Sequence, residues 1–99
     1  MPTVSPTLIG VTWYMSTDYA RMRKLFKDGA KLPRTYARWL KAATATQSTL
    51  ESMGFKVIKA YVDPDTFPAW CKSRRLDIDG NARLQYGNWY VDNGFGHTH

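Results

Sequence analysis

This chain contains just two strand-like stretches, and that scarcity constrains its fold more than any other feature. Leu8 to Tyr14 and Lys56 to Val62 are dense in β-branched and aromatic residues, a composition that suits a pleated, half-buried surface. In the first, Ile9, Val11 and Trp13 share a face. In the second, Val57 and Ile58 cover both faces, which implies packing on each side. Two strands are marginal in water without a covering layer, so helices have to supply one.

Helical spacing accounts for most of the remaining chain. Ser16, Thr17 and Asp18 offer capping oxygens, and Tyr19, Met22, Leu25 and Phe26 follow at helical steps, with Gly29 as the expected stop. Pro33 and Thr35 introduce a longer helix to about Met53, with Tyr36, Trp39, Leu40, Ala43, Leu50 and Met53 as a buried stripe and Gly54 as its end. Asp63-Pro64-Asp65 marks a strand-to-helix junction. With Asp65 as the cap, Pro68 falls in the first turn of a short helix to about Arg75, where its missing N–H costs little. A last helix, Ile78 to Val91, carries Ile78, Ala82, Tyr86 and Trp89 in register and is weakened by Gly80 and Gly87. The expected fold is a single small α/β (α+β) domain, residues 1–99, of order β-α-α-β-α-α with a two-stranded sheet covered by helices and strand direction open. Residues 1–7 read as an arm and 93–99 as a frayed tail.

Composition excludes several classes. At 99 residues there is room for one core, and a hydrophobic share of 43% rules out disorder throughout. No apolar run reaches the length of a membrane helix, and MPTVSPTLIG lacks the order of a signal peptide, so a cytoplasmic protein is expected. Cys71 has no cysteine to pair with, and its place beside Trp70 reads as a core thiol. Asp77-Ile78-Asp79-Gly80-Asn81 is no calcium loop, because the glycine comes too early and Asn88 stands where a bidentate Glu is needed. Asp77 or Asp79 is better read as a helix cap. The terminal His97 and His99 lack further ligands and read as tail. Asp28, Asp63 and Asp65 each have a turn or capping role that needs no chemistry. No metal, cofactor or catalytic set is expected.

The functional signal is the charge distribution. The net charge is +6, and the excess lies wholly in the first half: Arg21, Arg23, Lys24, Lys27, Lys31, Arg34, Arg38 and Lys41 face only Asp18 and Asp28 there. At 100° per residue Arg21, Lys24 and Lys27 project opposite Tyr19, Met22 and Phe26. Lys31 and Arg34 fall in the connection, and Arg38 and Lys41 lie near the start of the long helix. Arg21, Lys24, Lys27, Lys31, Arg34, Arg38 and Lys41 are therefore the candidate anion-binding residues, with nucleic acid the leading partner and an acidic protein the next. Against this stands the plainer account that these charges simply solvate the surface. The four tryptophans fall one to each of four elements, as a shared aromatic core requires. Unpaired sheet edges, or a last helix presenting Tyr86, Trp89 and Tyr90, predict self-association as a homodimer.

Three blocks of residues carry a resemblance: Trp13-Tyr14; Leu25 to Leu40, which contains Lys-Leu-Pro-x-Thr-Tyr-x-x-Trp-Leu; and Asp63 to Cys71, Asp-Pro-x-x-Phe-x-x-Trp-Cys. They resemble a group of short uncharacterised bacterial proteins, which implies a bacterial, cytoplasmic setting and no particular activity. The leading expectation is a non-enzymatic binding module with a basic helical corner. The alternative is a dimeric protein-interaction or assembly factor without a nucleic-acid role.

Overall fold

The computed structural model describes residues 7–94. Strands β1 (Thr7–Trp13) and β2 (Phe55–Tyr61) form the sheet, and helices α1 (Tyr19–Leu25), α2 (Tyr36–Ser52), α3 (Phe67–Ser73) and α4 (Gly80–Asp92) cover it, with a single 3-10 turn at Gly29–Lys31. The order is the expected one plus that turn. The strands are parallel, with Thr7 opposite Phe55 and Trp13 opposite Tyr61. A parallel pair cannot be closed by a hairpin; α1, the 3-10 turn and α2 make the crossover.

The two faces of the sheet carry different helices. Trp13 meets Trp39 of α2 edge-on at 5.1 Å, which puts α2 on the Ile9, Val11 and Trp13 face. On the other face α4 comes down onto β1. The Thr12 hydroxyl donates to the Arg83 carbonyl at 2.8 Å, and a Cβ built on Gly10 would sit 2.0 Å from the Gly87 carbonyl oxygen. Gly87 is therefore no weak point in α4. It is the position at which helix backbone rests on strand backbone, a fit open to glycine alone.

Local chemistry sets the helix ends, with some departures from expectation. Helix α1 stops at Leu25 because Phe26 turns extended and carries its ring into the core. Gly29 begins the 3-10 turn, and its missing Cβ is required by the Arg23 carbonyl oxygen 1.8 Å from where it would lie. In α2, Thr35 accepts from the Arg38 N–H, while Thr44, Thr46 and Thr49 return their hydroxyls to carbonyls one turn back. Met53, expected in the buried stripe, is 66% exposed, because it occupies the C-cap, where the chain leaves through Gly54 at φ +95°. The cap position of α3 is Thr66, one residue later than Asp65, and Pro68 does lie in its first turn. The displacement arises because the Asp63 carboxylate accepts from the Asp65 N–H at 2.8 Å, closing a turn that delays the helix. Asp79 caps α4, accepting from the Ala82 N–H at 3.1 Å.

The core lies at the C-terminal ends of the strands, where Trp13, Tyr14, Tyr19, Met22, Phe26, Trp39, Val62, Phe67, Cys71 and Ala82 form one buried cluster. Trp13 and Trp39 are buried within it; Trp70 and Trp89 are half-buried between α3 and α4. Thr7 belongs to β1 rather than to an arm, and Asn93 caps α4. The remainder of the expected arm and tail, His97 and His99 included, lies outside the described residues. No helix is long and apolar enough to cross a membrane among those residues.

Candidate anion-binding face

Packing of Tyr19 against the start of α2 joins the two segments that carry the basic residues. Tyr19 lies against Tyr36 at 5.9 Å and Trp39 at 5.8 Å, and its hydroxyl donates to the Pro33 carbonyl at 2.5 Å. Arg23 holds the same connection through Nε to the Leu32 carbonyl at 3.4 Å. The outer side of α1, the 3-10 turn, the 32–35 connection and the first turns of α2 therefore adjoin one another.

All seven predicted residues, Arg21, Lys24, Lys27, Lys31, Arg34, Arg38 and Lys41, are exposed, but they divide into two sets. Arg21 donates to Asp65 at 2.6 Å, and Lys27 pairs with Asp77 at 3.0 Å. Both partners come from the second half of the chain, and both turn their cations toward α3. The Asp65 hydrogen bond and the charges around it raise the Arg21 pKa further above its ordinary value. Lys24, Lys31, Arg34, Arg38 and Lys41 enter no ion pair among the described residues. Arg38 and Lys41, one turn apart, share a side of α2, and Lys24 points away from the Met22 side of α1. The set without ion pairs among the described residues is thus five, carried by α1, the 3-10 turn, the connection after it and α2.

One ion pair underlies this arrangement, and sequence reasoning missed it. Arg83 of α4 grips Asp28 bidentately, Nη1 to Oδ1 at 2.9 Å and Nη2 to Oδ2 at 2.7 Å, with both side chains mostly buried. Its guanidinium also stacks 4.4 Å over Phe26. Burial disfavours the Arg83 charge, but the Asp28 hydrogen bond and the fields of Tyr14 and Asp28 outweigh it and raise the pKa. The same hydrogen bond holds the Asp28 carboxyl below its usual range, with Lys31 adding to the effect. One of the two first-half acids is thereby committed to α4, but Asp65 and Asp77 bring two negative charges in, so the segment is less positive than its own charge count implies. No spacing signal marks a pair separated by 55 residues.

The aromatic residues proposed for self-association are engaged within the chain. Tyr86 meets Phe67 at 5.3 Å, Trp70 at 5.1 Å, Trp89 at 5.6 Å and Tyr90 at 6.1 Å, and its hydroxyl donates to the Tyr61 carbonyl at 2.9 Å. Trp89 and Tyr90 are half-buried beside it. Arg74 covers the stack, 4.4 Å over Trp70 and 5.4 Å over Trp89. Trp70 Nε1 is buried without a hydrogen-bond partner among the described residues. Cys71 is buried, and burial pushes its thiol pKa up, with the Asp79 charge adding to it; a raised thiol is a poor nucleophile. Asp63, Asp65 and Asp28 serve a turn and two ion pairs. Among the described residues no group of three or more His, Cys, Asp or Glu is placed to hold a metal.

The chain matches no family model, no curated protein and no solved structure.

Proposed function

We propose that this protein is a non-enzymatic binding module whose α1-α2 side takes an anionic partner, nucleic acid first among the candidates. The carrying observation is the exposure of Lys24, Lys31, Arg34, Arg38 and Lys41 without ion-pair partners among the described residues. Arg21 and Lys27, already neutralised, leave the proposed set. Five phosphate contacts imply a plot of log affinity against log salt with a slope of roughly −3.5 for single strands and −4.5 for duplex. Oligonucleotide binding followed by anisotropy across a salt series tests this. Lys24→Glu with Arg38→Glu should abolish binding, whereas Arg21→Gln should leave it nearly unchanged. No binding at low ionic strength, or equal losses from all three changes, refutes the reading.

A second copy of the chain is the other proposed partner, and the edge of β1, unpaired among the described residues, favours it. The Trp13 carbonyl accepts from the Val62 N–H, so by alternation the backbone groups of Leu8, Gly10 and Thr12 face away from β2. Strand β1 carries no charged residue, while β2 carries Lys56 and Lys59, the kind of residue that protects an edge against pairing. Leu84, 64% exposed, lines the same side. The last helix, with Tyr86, Trp89 and Tyr90 half-buried, stands beside this edge as the other candidate dimer contact. Sedimentation at tens of micromolar checks it, and a monomer there removes it. The buried, unpaired Cys71 supports a reducing, cytoplasmic setting, and the bacterial assignment rests on the resemblance of the sequence blocks.

A further inference from the structure

Between α1 and α3 runs an open groove of about 540 Å³, within the rough 300–1,000 Å³ range of ligand-sized clefts. Its floor is aliphatic. Leu25 comes from α1, Pro68 from α3, and Leu76 and Ile78 from the α3-α4 connection, all four half-buried. Its rim is basic: Lys27, Lys72 and Arg75 stand against the single carboxylate of Asp77, three positive charges against one negative. Asp77 is engaged by Lys27, and the Lys27 N–H donates to the Ile78 carbonyl at 2.8 Å, so these contacts pin the connection to the end of α1. Lys72 and Arg75 make no ion pair among the described residues.

Arg75 is also the one non-glycine residue with positive φ among the described residues, at 57°. It closes α3 in a Schellman arrangement: the Leu76 N–H donates to the Cys71 carbonyl at 2.9 Å and the Arg75 N–H to the Lys72 carbonyl at 3.1 Å. Glycine fills that position with less strain. An arginine there sets a guanidinium on the groove rim, and no hydrogen bond or ion pair of its side chain within the described residues offsets the cost. The guanidinium is thereby left without an ion pair among the described residues.

We infer that this groove docks an acidic segment of a partner protein, which lays aliphatic side chains on Leu25, Pro68, Leu76 and Ile78 and carboxylates against Lys72 and Arg75. Charge complementarity selects the sign of the partner. The floor selects its class: none of the lining residues is aromatic, so unstacked bases find no platform here, whereas an amphipathic peptide finds both of its faces matched. The site is separate from the α1-α2 side and does not depend on the nucleic-acid reading.

The test is selection of short random peptides displayed on phage against the full chain, followed by anisotropy on the selected sequences. Enriched peptides should combine Asp or Glu with Leu, Ile or Met. Their affinity should fall about tenfold or more in Lys72→Glu and in Arg75→Glu and survive Lys24→Glu with Arg38→Glu. Arg75→Gly should weaken binding while leaving the melting temperature equal or higher. The proposal is overturned by failure to enrich, by an acid-poor consensus, by affinities indifferent to Lys72 and Arg75, or by loss in the Lys24/Arg38 variant. An Arg75→Gly protein that melts lower overturns it too, because the arginine would then be structural.

Discussion

Gly87→Ala sets two well-measured effects against each other, and the structure decides the sign. In the interior of α4 the change should stabilise the helix by about 1 kcal/mol, the difference in helix propensity between glycine and alanine. The added Cβ, however, would lie 2.6 Å from the Gly10 carbonyl oxygen and 3.1 Å from its carbon. Those atoms are backbone in β1, so no side chain can swing aside; α4 has to lift by well over half an ångström, loosening the contacts of Thr12 and Ala82 as it goes. Overpacking of this kind costs about 1–3 kcal/mol, occasionally more, and backbone against backbone belongs at the upper end. The expected net is a loss of about 2 kcal/mol, a fall in melting temperature of roughly 8–16 °C for a chain this size. Gly10→Ala, at 2.0 Å from the Gly87 oxygen, should cost more and gains nothing from helix propensity. Thermal unfolding by circular dichroism of the two single variants is sufficient. A Gly87→Ala protein that melts higher than the parent refutes the close seating of α4 on β1 and the layer order derived from it.

Asp28→Asn leaves Arg83 mostly buried with a neutral partner, and denaturant unfolding should show a loss of about 2 kcal/mol. The parent should also lose stability in acid: the folded-state pKa of Asp28 is depressed, so its contribution is full above the unfolded carboxylate value and disappears as pH falls through the folded one. That part of the acid limb should flatten in the variant. Cys71 should resist a thiol reagent in the native state and react promptly once unfolded, since burial both shields and raises it; rapid native labelling contradicts the core placement. Asp79→Ala should cost about 1 kcal/mol through loss of the bond from the Ala82 N–H, measured as a shift of the urea midpoint at constant slope.

Elements with periodic apolar residues and conventional caps were legible in the sequence. Both strands lie within one residue of their expected bounds, and α2 runs from the turn after Thr35 to just before Gly54. The errors arose where a backbone contact decides the conformation. Gly29 and Gly87 looked like a stop and a weak point by local propensity, yet Gly29 is fixed by the Arg23 carbonyl of the preceding helix and Gly87 by the Gly10 carbonyl of β1. Strand direction was open because composition does not distinguish parallel from antiparallel pairing in a two-stranded sheet. The basic segment was legible as composition; its division was not, because Asp65 and Asp77 reach Arg21 and Lys27 across 44 and 50 positions. The α1-α3 groove takes its two unpaired cations, Lys72 and Arg75, from a half of the chain whose net charge is zero, six Lys and Arg against six Asp and Glu.

The position of the core bears on where binding can occur at all. In open sheets of parallel strands, ligands usually sit beyond the carboxyl ends of the strands. Here that space is filled by Trp13, Tyr14, Tyr19, Phe26, Trp39 and Phe67, all buried. Burial pushes the Tyr14 phenol pKa well above its ordinary range, as expected where little water enters. A sheet of two strands cannot supply both a core and a crevice, so the aromatics that hold this domain together occupy its conventional site. The binding surfaces proposed above are accordingly outer ones: the cations of α1 and α2, the rim and floor between α1 and α3, and the edge of β1. The first two are built from long cationic side chains around a rigid aromatic centre. Substitutions in them should therefore alter what the protein binds without unfolding it, whereas substitutions at Tyr14 or Trp39 should do the reverse.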